Sequence, residues 1–562
     1  MIRSRMALGA AFTALALWPG MASAQYNVTT LLLDGAQIPG STSTWNVNAG
    51  NIPSMPLSIQ GAYIAFVQCG SPSGGCGPDS AADGIWVENT STHPPTFSHL
   101  VKPGDVAPAS GGVTFTTFGG YALFAGGWVV FLAPDGPANG FYSVNITSKT
   151  IVRIANQATN LPGLGTSATF TYGNSTSDLP QSDGSLVVFQ ASSSAGAAIY
   201  SAEPNGQNLT ELAGPNTPVG TPGDCGGPIV QYYQPRVVGS NITFLGGTDG
   251  GELYLFVTPL TGIPTGPPCE PNGYIGYAPL VAYNTPLPDP GVFLYYASQI
   301  TLDNQNVYFN AAGNGGTGLY QAALNGNQPP STVVGVNQPL PGIPPPYDVS
   351  SGLGLAAENG TVIFNAGGLS SPAAEAGGVF AYDGGNIVRI AGTGDILSGA
   401  PGNSWIPPIA PNSIASNGEM VFSFGNPEQI GVYLANPSGC ATDVTGELQI
   451  SQTPPHLNPS TGDYISKITI KNTGSAAIPA PVAAVFNGMV KGLTDYGTQP
   501  PELLNAGVHA TTCLSPLGEA YLFVNGGNAL AAGAETSVEL NIANPPGIPV
   551  FTTRVVSGTA PR

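Results

Sequence analysis

The chain has 562 residues, with 12 Lys and Arg against 31 Asp and Glu, so its formal net charge is −19 and only 8% of it is charged. That balance excludes a nucleic-acid binder and an anionic membrane surface as partner, because both need basic patches. Gly (78) and Pro (55) are abundant, yet the 42% hydrophobic content is more than a disordered chain carries, so the composition predicts an all-β protein of short strands and Gly/Pro turns.

Residues 1–24 read as a secretory leader. Arg3 and Arg5 form its basic start, Met6 to Trp18 its apolar run, and Ala22-Ser23-Ala24 a cleavage site before Gln25. Its removal takes two arginines and no acid, so −19 becomes −21. No later stretch is long and apolar enough to insert in a membrane, and the expected location is extracellular or periplasmic. Six cysteines fit an oxidising compartment and structural disulfides. Six allow 15 connectivities. Pairing within regions favours Cys69–Cys76, Cys225–Cys269 and Cys440–Cys513.

From residue 25 to 438 one pattern recurs. A β-rich run ends in Phe66, Phe131, Phe189, Phe244, Phe309, Phe364 and Phe422, at spacings of 55 to 65 residues. A second aromatic follows each: Trp86, Tyr142, Tyr200, Tyr254, Tyr320, Phe380 and Tyr433. A third run (FSHLV, IVRI, LTEL, PLVA, STVV, IVRI) follows six of them, and a weaker strand precedes each Phe run. Four short strands per repeat make a propeller blade, and one blade cannot bury both its faces. The last repeat lacks its outer strand, whereas Tyr26 to Gly40 matches that strand and its loop. The expected architecture is a seven-bladed β-propeller closed by an N-terminal strand. From 439 to 562 the repeat is gone. Alternating runs such as YISKITIKN and TSVELNIAN predict an immunoglobulin-like β-sandwich.

The outer-hairpin segments Ile199 to Gly214 and Val379 to Gly392 resemble those of TolB-like propellers. The NG-x-x-x-F runs and the G-D-x-x-P loop at Gly104 to Pro108 resemble tandem-repeat propellers of secreted bacterial proteins. Thr461 to Gly488 resembles the immunoglobulin-like modules of bacterial surface and secreted proteins. The resemblance implies fold and export and brings no catalytic residue.

Gly313 to Gly318 fits G-x-G-x-x-G, but a strand and hairpin follow it where a phosphate loop needs a helix. There is no G-x-S-x-G, H-E-x-x-H or EF-hand motif. His93 and His99 flank one turn, where solvated histidines are commoner than a metal site, and no cofactor is expected. Loop aromatics Trp45, Phe115, Phe170, Phe293, Tyr347 and Trp405 recur at equivalent places, which reads as packing. Tyr274, Tyr277, Tyr283, Tyr295 and Tyr296 break the repeat and are the better ligand-stacking candidates. Asp34, Asp105, Asn156, Asn216, Asn284, Asn337 and Asp395 follow the third runs; turn chemistry explains them, and a polar ring including Asp34, Asp105 and Asp395 is the functional alternative.

These observations point to a non-catalytic binding or scaffold protein whose loop face takes a carbohydrate or an extracellular protein. Two alternatives stay open. One is a carbohydrate-active enzyme with paired carboxylates, a glycosidase before a lyase, since an acidic chain repels uronates. The other is a structural envelope or matrix protein.

Overall fold

The computed structural model describes residues 26–33, 35–38, 44–45, 57–68, 83–92, 95–109, 111–119, 121–133, 139–165, 168, 170, 180–214, 229–248, 251–259, 279–294, 297, 299–313, 316–336, 338–341, 347–349, 355–368, 377–392, 395, 413–426, 429–437, 441–490, 502–505, 509–510, 519–543 and 549–558. These residues form strands, with two short 3-10 turns and no α-helix among them. All six cysteines lie outside the described residues.

The repeat region is a β-propeller built from antiparallel sheets of consecutive strands. The first sheet is Ser58–Gln60, Tyr63–Gln68, Gly84–Asn89 and Thr96–Val101. The second is Ala122–Ala125, Trp128–Ala133, Gly140–Asn145 and Ile151–Asn156. The third starts at Gln181–Ser182, the fourth at Ile229–Val238 and the fifth at Ile300–Leu302, each again four strands in sequence order. In the sixth, Tyr347–Val349 and Leu355–Glu358 share Thr361–Gly368 as partner. The last joins Met420–Asn426 to Gln429–Asn436, and the N-terminal strand Asn27–Leu33 pairs antiparallel along its outer edge.

The recurring aromatics face one another across the second and third strands. Phe131 pairs with Tyr142, Phe189 with Tyr200, Phe309 with Tyr320, Phe364 with Phe380 and Phe422 with Tyr433. Their ring centroids lie 5.5 to 6.0 Å apart, a separation at which each pair contributes about 0.5–1.5 kcal/mol beyond its buried area. In the fourth sheet the partner of Phe244 is Phe256, not Tyr254, which sits opposite Gly246. The sequence reading chose the wrong member of an alternating pair there.

A second repeat feature was not anticipated. Opposite the third-strand aromatic, the outer strand carries one extra residue in every sheet. Trp86 pairs with His99 while Ile85 pairs with Val101, which leaves Leu100 over. The same slip leaves over Ile154, Leu212, Leu280, Val333 and Ile390. In the last sheet the extra residue is Leu31 of the N-terminal strand, between Thr30 and Leu32. A bulge of this kind bends the outer strand and increases its twist. The N-terminal strand thus reproduces the outer-strand geometry to the residue.

Buried apolar clusters run from each sheet to the next. Ala65 and Ile85 meet Phe131 and Tyr142 around the loop residue Phe115. Val379 and Ala381 meet Phe422 and Tyr433. The last sheet meets the first through Leu32, Val421 and Val432 against Ile64, Phe66 and Trp86. Trp45 fills this seam, its ring 5.3 Å from both Phe66 and Trp86. Phe170 is likewise buried between sheets.

The C-terminal region has two further sheets. One orders Thr442–Asp443, Thr552–Ser557, Val482–Val490, Glu519–Phe523 and His509–Ala510; the other joins Leu448–Gln452, Tyr464–Asn472, His456–Leu457 and Glu535–Ile542. Ile468, Ile470 and Leu540 of the second pack on Phe486, Leu522 and Val555 of the first.

Candidate functional site

Apart from the ten-residue Ile229–Val238, the first strands of the propeller sheets are short, and neighbouring first strands and their turns hold one another directly. Ser58 Oγ accepts from the Phe124 amide at 3.0 Å. Gln234 Oε1 accepts from the Ile300 amide at 2.7 Å, and Arg236 Nε donates to the Ile300 carbonyl at 3.0 Å. Two side chains thus read both backbone groups of the next sheet's first strand, which places a buried guanidinium at the ring's inner wall. Arg236 also donates to the Pro235 carbonyl at 3.1 Å. Asp303 Oδ2 accepts from the Gly360 amide at 2.9 Å, Asn359 Nδ2 donates to the Ser416 carbonyl at 3.3 Å, and Ser413 Oγ donates to the Leu57 carbonyl at 3.2 Å. Between the second and third sheets the turns meet backbone to backbone. Gly126 has φ +50°, and a Cβ there would stand 2.2 Å from the Gly184 carbonyl oxygen.

These strands and turns enclose an axial cavity of about 410 Å3, lined by residues from Ser58 to Ser416. This is within the range of small-ligand sites. Its wall alternates neutral hydrogen-bonding groups (Ser58, Gln60, Gln181, Thr301, Asn304, Ser416) with aliphatic ones such as Ile59, Val237 and Leu302. Arg236, Asp183 and Glu358 supply charge. Phe124 is its one aromatic among the described residues. Asp183 Oδ1 accepts from the Ser185 and Leu186 amides, each at 2.9 Å, so that carboxylate closes a turn. Glu358 is half-buried, and its carboxyl is pushed up first by burial and then by the charge of Asp303.

The described residues among those singled out from the sequence do not line this cavity. The cavity opens among turns that join first and second strands, whereas Asp105 and Asp395 follow outer strands and Asn156 ends one, at the opposite end of each sheet. Asp105 Oδ2 accepts from the Lys102 amide at 2.9 Å, and Asn156 Oδ1 from the Ala158 amide at 3.1 Å. Asp395 is fully buried, bonded to Arg389 Nη1 at 2.9 Å and to the Gly392 amide at 2.7 Å. Each of these groups is occupied in its own turn. Tyr283 is exposed, at 36%. Asp34, Tyr274, Tyr277, Tyr295 and Tyr296 lie outside the described residues. His99 stacks on Trp86 at 4.2 Å with Nε2 3.0 Å from the Asp83 carbonyl, and burial holds its imidazole below the usual range. Among the described residues no three His, Cys, Asp or Glu side chains form a metal-holding group.

Arg236 and Glu358 were not legible as a site. They lie on or beside the strand before each Phe run, the weakest part of each repeat. The signal available was position: Glu358 immediately precedes the Asn-Gly turn before TVIF, and such turns converge on the axis.

No protein-family model matches the chain, and no curated protein matches it by sequence. Its fold is similar to that of solved structures. One is a prolyl endopeptidase from a study of two such enzymes (12% identity, 77% of this chain and 57% of that one, TM-score 0.40). Another is TolB from Acinetobacter baumannii (11%, 58% and 62%, TM-score 0.30). A third is the β-propeller domain of the Trilobed protease from Pyrococcus furiosus (10%, 59% and 96%, TM-score 0.29). The chain spans less than two thirds of the length of the first two. The likeness is one of fold, a β-propeller. Peptidases recur among these structures, and this corrects the expectation of a non-catalytic carbohydrate- or protein-binding scaffold: the comparison is with peptidase propellers. The sequence misled because blade motifs encode packing and turns, which propellers of every activity share.

Proposed function

We propose that this protein works in peptide hydrolysis, with its propeller as the element that admits the peptide. In this reading the propeller has seven blades closed by the N-terminal strand, an immunoglobulin-like sandwich follows, and the protein is exported by the leader at 1–24. The axial cavity carries the proposal. Hydroxyl and carboxamide groups interspersed with aliphatic ones suit the alternating amides and side chains of an extended peptide. Sugar rings, by contrast, are held on aromatic faces, and Phe124 alone offers one among the described lining residues. The bond-cleaving groups lie outside the ring in this reading, since the described lining of the cavity holds neither His nor Cys.

The test is incubation of the full mature chain with a defined mixture of short peptides bearing a photoreactive group. Mass spectrometry then maps cross-links and new termini. Cross-links to the strands around Gln60, Gln181 and Thr301 are expected, with neutral polysaccharide failing to compete. An intact mixture with no cross-link inside the ring would overturn the proposal.

A further inference from the structure

Two carboxylates stand by the sixth sheet's inner edge, where Asp303 accepts from the amide of Gly360, two residues beyond Glu358, and their hydrogen bonding differs. Asp303 is saturated: its Oδ1 accepts from the Gln305 and Asn306 amides at 2.8 Å each, and its Oδ2 from the Tyr308 hydroxyl and the Gly360 amide at 2.9 Å each. Glu358 ends the strand Leu355–Glu358, lines the cavity, and accepts no hydrogen bond at its carboxylate among the described residues. A half-buried anion beside a second fixed negative charge, with its lone pairs open to a polar cavity, is complementary to a cation that carries N–H donors. Arg236, the cavity's cation among the described residues, belongs to the fourth sheet and is turned to the carbonyls of Pro235 and Ile300.

We propose that Glu358 forms the cation subsite of the axial cavity, selecting peptides that present an ammonium or guanidinium group there. The proposal rests on the peptide reading above. A bound cation relieves the repulsion between Glu358 and Asp303, so it also draws the Glu358 carboxyl back toward its ordinary range. The cation can come from a free amino terminus or from a Lys or Arg side chain.

The experiment measures binding of fluorescent short peptides to the full chain by anisotropy. The peptides are blocked and neutral, blocked with one Lys, or free at the amino terminus. Wild type is expected to hold cationic peptides about tenfold or more tighter than the neutral one, as a charge-assisted hydrogen bond implies. Glu358→Gln should abolish that preference, Glu358→Asp should keep part of it, and the Gln variant should melt no lower than wild type. The two cationic peptides separate terminal from side-chain recognition. Equal affinity of wild type for neutral and cationic peptides overturns the subsite while leaving the peptide reading standing. A separate arm titrates triethylammonium, which carries an N–H donor but forms no amide, against carbodiimide modification at Glu358. Protection supports the subsite even where no peptide binds, an outcome that sinks the peptide reading alone; absence of protection overturns the subsite.

Discussion

Both carboxylate oxygens of Glu88 are buried without a hydrogen-bond partner, on the face of the first sheet that meets the last. Its neighbours across strands are Ile64 and Phe97, and the last sheet faces it with aliphatic residues such as Val421, Val432 and Leu32. Burial alone raises its carboxyl from 4.5 to about 7. The folded state therefore holds a proton that the unfolded chain releases. This contribution is fully present below 4.5 and is lost as pH rises through 7, amounting to ~3 kcal/mol. Glu88→Gln should remove that slope, so thermal melts at pH 5.5 and 8.5 should differ in wild type and nearly coincide in the variant. Parallel profiles would refute it. Asp395 is the opposite case, a buried carboxylate fully paired. Asp395→Ala strands the Arg389 guanidinium and should cost about 3 kcal/mol in urea unfolding, whereas a loss below 1 kcal/mol would mean that water reaches Arg389.

At the scale of elements, the bulged outer strand explains why the N-terminal strand closes the ring. Leu31 occupies the extra position that Leu100, Ile154, Leu212, Leu280, Val333 and Ile390 hold elsewhere. Removing residues 25–33 leaves Gln429–Asn436 as an unpaired edge with Val432 uncovered, and exposed edges pair with other chains. The truncated protein should elute as oligomers in size-exclusion chromatography, and a synthetic Asn27–Leu33 peptide should restore the monomer. A monomer without the peptide would refute this role. The strand itself was readable because its loop matches the repeat. The bulge was not, because strand alternation in a sequence does not reveal which partner residue is skipped.

On the whole-molecule scale, net charge and the cation subsite act in the same direction. A chain at −19 attracts basic peptides over long range and repels acidic ones. Association of a Lys-bearing peptide should therefore slow severalfold between 20 and 200 mM salt in stopped-flow traces, while a neutral peptide's rate stays flat. Flat rates for both would confine the charge effect to Glu358. Acidification should weaken the same peptide, because protonating Glu358 removes the anion it binds.

The all-β class, the repeat and the strand that closes the last sheet were determined by the sequence, since each rests on local pattern: aromatic runs, Asn-Gly turns and a spacing of 55 to 65 residues. The tyrosine and Asx candidates came from the same local reasoning, and those described fill turns or face solvent. The cavity was decided by tertiary structure alone. Its residues come from Ser58 to Ser416, from the first strand of each sheet and the turn that follows it. Their side chains become neighbours only when the sheets close around an axis, a relation that no local pattern carries.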